Sequence, residues 1–275
     1  MGHVTSAAGQ FIEESGLKIF AHRGFSGRYP ESTPASYRAA IDYAEQTGIE
    51  LGLECDVHFT ADDQLVCLHD LTIDRTSDAE GPLYEWKLDD LRKIDFGSWF
   101  KENPSQEERS VTTLIELLDL IKDARDRGAK INLNLETKHP TPRGLDIEGR
   151  VTELLTERGW TGPDSPIRMI TFFPDALIKI GEVLPDLQRT YLMSDLDRAP
   201  GGVLPEGVKI VGPDIEAVRQ DPDFIARAHD QGNEVHLWTV NTPEDVEFCL
   251  EHGVEGMTTD FPDIVVDALM SSSVR

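Results

Sequence analysis

The sequence has few basic residues for its length: 26 Lys and Arg stand against 51 Asp and Glu among 275 residues, for a formal net charge of −25. Nucleic-acid binding needs a broad basic surface that neutralises phosphates, and this composition excludes one. The same deficit argues against electrostatic attachment to an anionic membrane. Because a strongly negative surface repels anions, a phosphate-bearing substrate would need a local concentration of positive charge.

Cysteines and long apolar segments are also scarce. The three cysteines, Cys55, Cys67 and Cys249, are odd in number and include no Cys-x-x-Cys pair, so the sequence predicts neither a disulfide framework nor a thiolate zinc site. No apolar run approaches the roughly 20 residues of a membrane-spanning helix. The first residues lack the basic start and apolar stretch of a signal peptide, so we expect a cytoplasmic protein without a stable membrane anchor.

Short apolar runs alternate with helical patterns along the chain, which is typical of a parallel β-sheet covered by helices. Eight predicted strands match the count of a TIM barrel, and the sequence predicts one α/β domain of this kind over residues 1–275. A doubly wound open sheet is the alternative, but no Gly-x-Gly-x-x-Gly follows the first strand and no Walker A motif occurs. The predicted strands are 18–22, 50–57, 130–138, 168–173, 189–193, 209–212, 234–240 and 256–259, and the predicted helices are 34–47, 113–127, 146–158, 175–183, 222–231, 243–251 and 263–270.

One segment is too long for the repeating strand–helix unit. About 60 residues separate His69 from the strand that starts at Lys130. We interpret residues 71–112 as an insertion after the second strand, followed by a barrel helix. Its apolar residues could form an exposed rim for a lipid substrate, or they could pack over the barrel. These residues are Leu83, Trp86, Leu88, Trp99 and Phe100.

Two predicted strands carry acidic residues where a buried parallel strand is ordinarily apolar on both faces. Polar and apolar residues alternate towards Lys138, which puts Glu136 on the inward face, and Glu54 and Asp56 share that face of the strand ending at Val57. Active sites of such barrels lie at the carboxyl ends of the strands, so the three carboxylates should converge there. Each carboxylate alone could instead be a solvated strand end or a member of an ion pair.

Three converging carboxylates need protons or a cation to neutralise their charge. Like charges 4 Å apart repel by about 4 kcal/mol at an effective dielectric constant of 20, so the cluster persists only with protons or a cation. Carboxylate oxygens favour a hard ion, Mg²⁺ or Ca²⁺, over zinc. The sequence therefore predicts a divalent metal site.

Histidines and basic residues stand at the same strand ends. His22 and His69 each close an apolar run; either alone could be structural, but a pair can supply an acid and a base near neutral pH. Arg23 and Lys138 suit phosphate, one as a planar fork and the other as a point charge. Three carboxylates, one divalent cation and these two side chains leave a net charge of +1, which matches one phosphodiester monoanion.

Six groups of motifs are spread along nearly the whole chain. They are Ala21-His-Arg-Gly24 with Pro30-Glu31, Glu54-Cys-Asp56, Leu68-His-Asp70 with Asp74-Arg-Thr76, Glu136-Thr-Lys138, Trp238-Thr-Val-Asn241, and Gly253-Val-Glu-Gly-Met-Thr-Thr-Asp-Phe-Pro262. In this order they resemble the glycerophosphodiester phosphodiesterase family. Any one motif would mean little, whereas the ordered set is highly specific.

The resemblance implies a TIM barrel with a segment inserted after the second strand. It also implies metal-dependent hydrolysis of glycerophosphodiesters to glycerol 3-phosphate and an alcohol. The residues that match the family's site are the acid/base pair His22 and His69, the metal ligands Glu54, Asp56 and Glu136, the phosphate ligands Arg23 and Lys138, a further active-site acid, Glu31, and the aromatic pocket wall Trp238.

The chain departs from the family's pattern at two positions. Ser32 stands where an asparagine is common, and Thr171 stands where a serine is common. Both changes bear on substrate preference more than on activity. Two alternatives stay open: lysophospholipase D-like or cyclising phospholipase activity on the same barrel, and a non-catalytic barrel that binds phosphate or cations. The sequence also leaves open the alcohol group, the physiological metal and the oligomeric state.

Overall fold

Ten strands form a single sheet in residues 6–272, the part of the chain that the computed structural model describes. They are β1 (Lys18–Ala21), β2 (Leu51–Phe59), β3 (Leu65–Cys67), β4 (Thr112–Thr113), β5 (Ile131–Thr137), β6 (Ile167–Thr171), β7 (Arg189–Met193), β8 (Ile210–Pro213), β9 (Glu234–Trp238) and β10 (Gly256–Thr259). Eight of them run parallel and close into a barrel, because β1 pairs with both β10 and β2. The predicted TIM barrel is confirmed.

Helices alternate with most of the barrel strands, and several pack directly against them. They are α1 (Ala7–Ser15), α2 (Pro34–Thr47), α3 (Leu88–Leu91), α4 (Gln106–Arg109), α5 (Leu114–Asp126), α6 (Asp146–Glu157), α7 (Pro174–Val183), α8 (Ile215–Gln220), α9 (Asp223–Asp230), α10 (Pro243–His252) and α11 (Pro262–Ser272). Local sequence sets their ends: Thr113 and Thr242 begin α5 and α10 in capping boxes, and Gly48, with φ of 67°, ends α2. Within residues 6–272, no helix combines the length and apolar character needed to cross a bilayer.

The alternation of apolar and acidic residues along β2 directs the acidic side chains into the barrel. Leu53 and Cys55 are fully buried in the main apolar core, which also includes residues of the surrounding helices. The residues between and after them, Glu54 and Asp56, line a cavity inside the barrel. In the pairing of β2 with β5, Asp56 lies opposite Glu136. The register therefore brings two carboxylates from adjacent strands to the same level of the barrel.

The segment between β2 and α5 contains structure that the sequence prediction lacks. Two short strands, β3 and β4, extend the sheet from β2 in antiparallel pairings. They have three and two residues, which is too short to give a period-two signal. The helices α1, α3, α4 and α8 also have no counterpart in the prediction. The limits of the predicted insertion, residues 71–112, stay a prediction.

The apolar residues of this segment pack mainly against one another. Leu83 is buried in a second apolar cluster, separate from the main core, and Trp86 and Leu88 pack against that cluster. Trp99 is 41% exposed and meets the edge of Phe100, with ring centroids 5.5 Å apart. This packing favours a cover over the barrel more than a continuous apolar rim for a lipid.

Candidate active site

A cavity of about 110 Å³ opens at the carboxyl ends of the barrel strands. Eight of the nine predicted site residues line it, and the exception is Glu31. A cavity of about 190 Å³ at the opposite end of the barrel is lined by charged side chains that include Lys18, Glu50 and Arg168, but by neither predicted catalytic histidine. The predicted catalytic, metal-binding and phosphate-binding side chains are therefore concentrated in the cavity at the carboxyl ends.

Three buried carboxylates form the floor of this cavity. Glu54, Asp56 and Glu136 each place one oxygen within 4.8 Å of the others. Burial, reinforced by the charge of Asp56, raises the pKa of Glu136 to about 8 and that of Glu54 well above its ordinary value. Burial also acts to raise the pKa of Asp56, but Lys138 and Arg23 outweigh it and hold that pKa well below its ordinary value. Three buried carboxylates whose oxygens converge on one point provide the donor set that a hard divalent cation prefers.

Two basic side chains reach the same carboxylates. The Nζ atom of Lys138 lies 2.9 Å from Glu136 Oε1 and 3.3 Å from Asp56 Oδ1. The Nε atom of Arg23 lies 3.2 Å from Asp56 Oδ2, but the alignment leaves both buried atoms without a hydrogen bond. Buried donors are ordinarily satisfied by a hydrogen bond, so this pair is held by charge attraction without an aligned hydrogen bond.

The backbone at Arg23 is held in an unusual conformation. Its φ is 54°, in the left-handed region that non-glycine residues rarely adopt. The Arg23 N–H donates to Glu54 Oε2 at 2.9 Å, and the Arg23 carbonyl accepts from Ser36 Oγ at 3.0 Å. Such strain costs about 1–3 kcal/mol and persists only where neighbouring contacts impose it. Here the contacts place the guanidinium beside the carboxylates.

His22 follows β1, and a carboxylate fixes its ring. Its Nδ1 lies 2.7 Å from Asp260 Oδ1, and its Nε2 lies on the cavity side, 3.9 Å from Glu54 Oε2. Asp260 also accepts hydrogen bonds from Ser26 Oγ at 3.0 Å and from Asn241 Nδ2 at 2.7 Å. Burial acts to raise the pKa of Asp260, but these three bonds lower it below its ordinary value. The carboxylate therefore orients His22 with Nε2 towards a substrate.

His69 follows β3 and is held in the same manner from another part of the barrel. Its Nδ1 lies 2.6 Å from Asp70 Oδ1. The Nε2–H of His58, on β2, donates to the His69 carbonyl at 3.2 Å and fixes the backbone. Burial lowers the pKa of His69. The cavity thus contains two imidazoles, each with a carboxylate on Nδ1.

An aromatic wall completes the cavity. The Trp238 indole donates from Nε1 to the Gly212 carbonyl at 2.8 Å, which fixes the ring. Its edge meets Phe172, with ring centroids 5.6 Å apart and an interplanar angle of 84°. The wall offers an apolar surface to the carbon skeleton of a small substrate, while the charged groups face its polar part.

A family model matches residues 22–264, which extend from the first cavity histidine into α11. Its description is the glycerophosphoryl diester phosphodiesterase family. The chain belongs to this family. The family membership predicted from the ordered motifs is confirmed.

Individual members of the glycerophosphoryl diester phosphodiesterase family match most of the chain. The chain is 33% identical over 253 residues to "Probable glycerophosphodiester phosphodiesterase 1" of Mycobacterium tuberculosis, covering 89% of each protein. It is 30% identical over 273 residues to the glycerophosphodiester phosphodiesterase of Bacillus subtilis, covering 94% of this chain and 88% of that one. A phosphodiesterase of Oleispira antarctica, solved in complex with the product sn-glycerol-3-phosphate, matches with a TM-score of 0.78 and 26% identity, covering 92% of this chain and 96% of that one.

One predicted site residue, Glu31, does not line the cavity. Its Oε1 accepts from Arg23 Nη1 at 3.0 Å, so it contacts the predicted phosphate ligand. Conversely, Asp70 and Asp260 hold the histidines but were not among the predicted site residues. Both lie in motifs that carry the family resemblance, and that is the signal from which their importance could have been inferred.

Proposed function

We propose that this protein is a metal-dependent phosphodiesterase that hydrolyses glycerophosphodiesters to glycerol 3-phosphate and an alcohol, with His22 and His69 as acid and base. The observation that carries the proposal is one cavity that unites two carboxylate-held imidazoles, a buried carboxylate cluster and two cationic side chains. The product bound to the Oleispira antarctica relative supports the substrate class. A small-molecule substrate and a cytoplasmic location are part of the proposal.

The carboxylates have a defined part in this proposal. Glu54, Asp56 and Glu136 would hold Mg²⁺ or Ca²⁺, which supplies charge neutralisation for the phosphodiester and lowers the pKa of a coordinated hydroxyl. With the cation in place, Lys138 and Arg23 no longer carry the whole charge of the cluster. They can then donate hydrogen bonds to the non-bridging phosphate oxygens.

The two histidines divide the proton transfers. One ring takes a proton at Nε2 from the attacking oxygen, and the other gives a proton at Nε2 to the oxygen of the leaving alcohol. Because Asp260 and Asp70 each engage Nδ1, both rings present the same nitrogen to the substrate. Trp238 and Phe172 would orient the carbon skeleton against the apolar wall.

A substrate panel tests the proposed function. Purified protein with Mg²⁺ or Ca²⁺ is offered glycerophosphodiesters of several alcohols and lysophospholipids, and glycerol 3-phosphate is assayed with a coupled enzyme. We expect glycerol 3-phosphate from soluble glycerophosphodiesters and slower turnover of lysophospholipids, since Leu83, Trp86 and Leu88 pack inward. Release of lysophosphatidic acid or of a terminal cyclic phosphate would establish one of the alternative activities. Phosphate or cation binding without turnover would establish the non-catalytic barrel.

Replacing either histidine separates chemistry from folding. We expect His22→Ala and His69→Ala each to lower kcat by about 10²–10⁴-fold, the usual cost of losing a general acid or base, with little change in KM. His229→Ala is the matched control, because His229 also pairs with a carboxylate, Glu255, but does not line the cavity. Steady-state kinetics and thermal melts check this. Near-normal kcat in both variants would assign the proton transfers to other groups.

A further inference from the structure

Arg75 links two loops that each carry a cavity residue. Its Nε and Nη2 donate to Asp70 Oδ2 and Oδ1 at 2.7 and 3.3 Å. Its Nη1 and Nη2 donate to Glu31 Oε2 and Oε1 at 2.9 and 2.7 Å. Asp70 in turn holds His69, and Glu31 holds Arg23. A single guanidinium thus connects the ring of a histidine to a predicted phosphate ligand.

The geometry of these contacts is specific to arginine. A planar guanidinium with five N–H donors can form two parallel bonds to a carboxylate, and here it does so on two carboxylates at once. Burial acts to raise the pKa of both carboxyls, but Arg75 outweighs it, together with Arg23 beside Glu31 and His69 beside Asp70. The pKa of Glu31 therefore lies below its ordinary value, and that of Asp70 is about 2. Both partners are therefore ionised, and each accepts a pair of hydrogen bonds from Arg75.

The backbone that carries Arg75 is itself fixed. Ile73 is fully buried in the second apolar cluster, and its N–H donates to the Gly81 carbonyl at 3.1 Å. The Gly81 N–H donates to Asp74 Oδ1 at 2.7 Å. The Arg75 side chain is 44% exposed and does not line the cavity. Arg75 can therefore act on the reaction only through the residues it holds.

We propose that Arg75 is a positioning residue for both halves of the reaction centre. Through Asp70 it fixes the tautomer and direction of His69, and through Glu31 it fixes the guanidinium of Arg23 beside the carboxylate cluster. The second apolar cluster is then a support for the site as well as a cover over the barrel. This inference rests on the proposed function of His69 and Arg23.

Kinetics of Arg75 variants test the link. We expect Arg75→Ala to lower kcat by about 10–100-fold, the usual cost of removing a residue that orients a directly acting group, and to raise KM as Arg23 loses its support. Arg75→Lys should recover only part of the loss in kcat and of the rise in KM, because an ammonium group cannot form paired hydrogen bonds to two carboxylates at once. The kinetics of Arg75→Lys also test the inference if Arg75→Ala folds poorly. The control is Arg127→Ala, which removes an exposed arginine with two hydrogen bonds to Glu45 away from the cavity.

Double substitutions separate the two arms of the link. If Arg75 acts on His69 through Asp70, its effect on kcat should disappear in an Asp70→Asn background. If it acts on Arg23 through Glu31, its effect on KM should disappear in a Glu31→Gln background. Fully additive effects in both backgrounds would overturn the inference, because a general loss of structure adds to each single variant.

The ring of His69 provides a measurement that needs no substrate. Side-chain ¹⁵N NMR reports the tautomer of each histidine. Arg75→Ala should change the signals of His69 and leave those of His22 unchanged, since Asp260 holds the latter independently. A wild-type protein without phosphodiesterase activity would overturn the proposed function, while the NMR result would still decide the link. An active protein whose His69 signals and kinetics are unchanged by Arg75→Ala would overturn the inference alone.

Discussion

Removal of divalent cations should abolish turnover by this protein, and addition of Mg²⁺ or Ca²⁺ should restore it. Glu54, Asp56 and Glu136 place oxygens within 4.8 Å of one another in a buried cluster. Like charges at about 4 Å repel by about 4 kcal/mol at an effective dielectric constant of 20. Lys138 and Arg23 supply two positive charges against three carboxylates, so the fully ionised cluster favours a bound cation. The measurement is the initial rate after exhaustive dialysis against a chelator, followed by titration with each metal.

Calorimetry tests the same site without substrate. Because burial raises the pKa of Glu136 to about 8, this carboxyl is protonated at pH 7 in the metal-free protein, and cation binding should release protons. The heat of binding should therefore depend on the ionisation enthalpy of the buffer. Glu54→Gln and Glu136→Gln should weaken binding markedly, whereas Glu182→Gln, an exposed carboxylate on α7, should not. Full activity after exhaustive chelation would contradict the metal assignment.

The residues that line the cavity could be predicted because a local pattern encodes them. In β2, a period of two separates Glu54 and Asp56 from the apolar residues of the core, and β5 does the same for Glu136. The closure of the barrel then brings the ends of all eight strands together without further information. His22 and Lys138 follow their strands directly, so the same argument includes them.

The residues that orient the side chains of the cavity could not be predicted in the same way. His22 and Asp260 are 238 residues apart, and Arg75 and Glu31 are 44 apart, so no periodicity within one element encodes either contact. Glu31 illustrates the limit. Its motif gives the correct neighbourhood, but its contact with the Arg23 guanidinium forms only in the folded loop.

The segment between β2 and α5 was ambiguous for a different reason. Its regular elements are two strands of at most three residues and helices of at most four, and periodicity needs a longer window. Leu83 and Trp99 are therefore indistinguishable in sequence, although the first is buried and the second is 41% exposed. The burial of each side chain depends on whether it packs into the second apolar cluster, which forms only in the folded protein.

Removal of the glycerol 2-hydroxyl from the substrate should slow turnover by orders of magnitude. That hydroxyl lies next to the phosphoester carbon and can attack phosphorus, so that a new O–P bond forms as the bond to the leaving alcohol breaks. One histidine takes the hydroxyl proton and the other protonates the alcohol. Intramolecular attack gains from proximity, which lowers a barrier by about 7–11 kcal/mol in well-oriented cases. In this route water would then attack phosphorus and open the cyclic phosphate to glycerol 3-phosphate, with the histidine roles reversed.

The comparison that decides this route uses glycerophosphocholine and its 2-deoxy analogue. Binding should be nearly equal, because the proposed phosphate ligands Arg23 and Lys138 would contact the phosphate in both compounds. Competition assays measure it. The rate of choline release should fall steeply for the analogue, and ³¹P NMR of single turnovers should detect a cyclic phosphate only with the natural substrate. Equal rates for the two compounds would mean that water attacks phosphorus directly. The histidines would then activate water from the start, and the cyclic route would be wrong even though the family assignment stands.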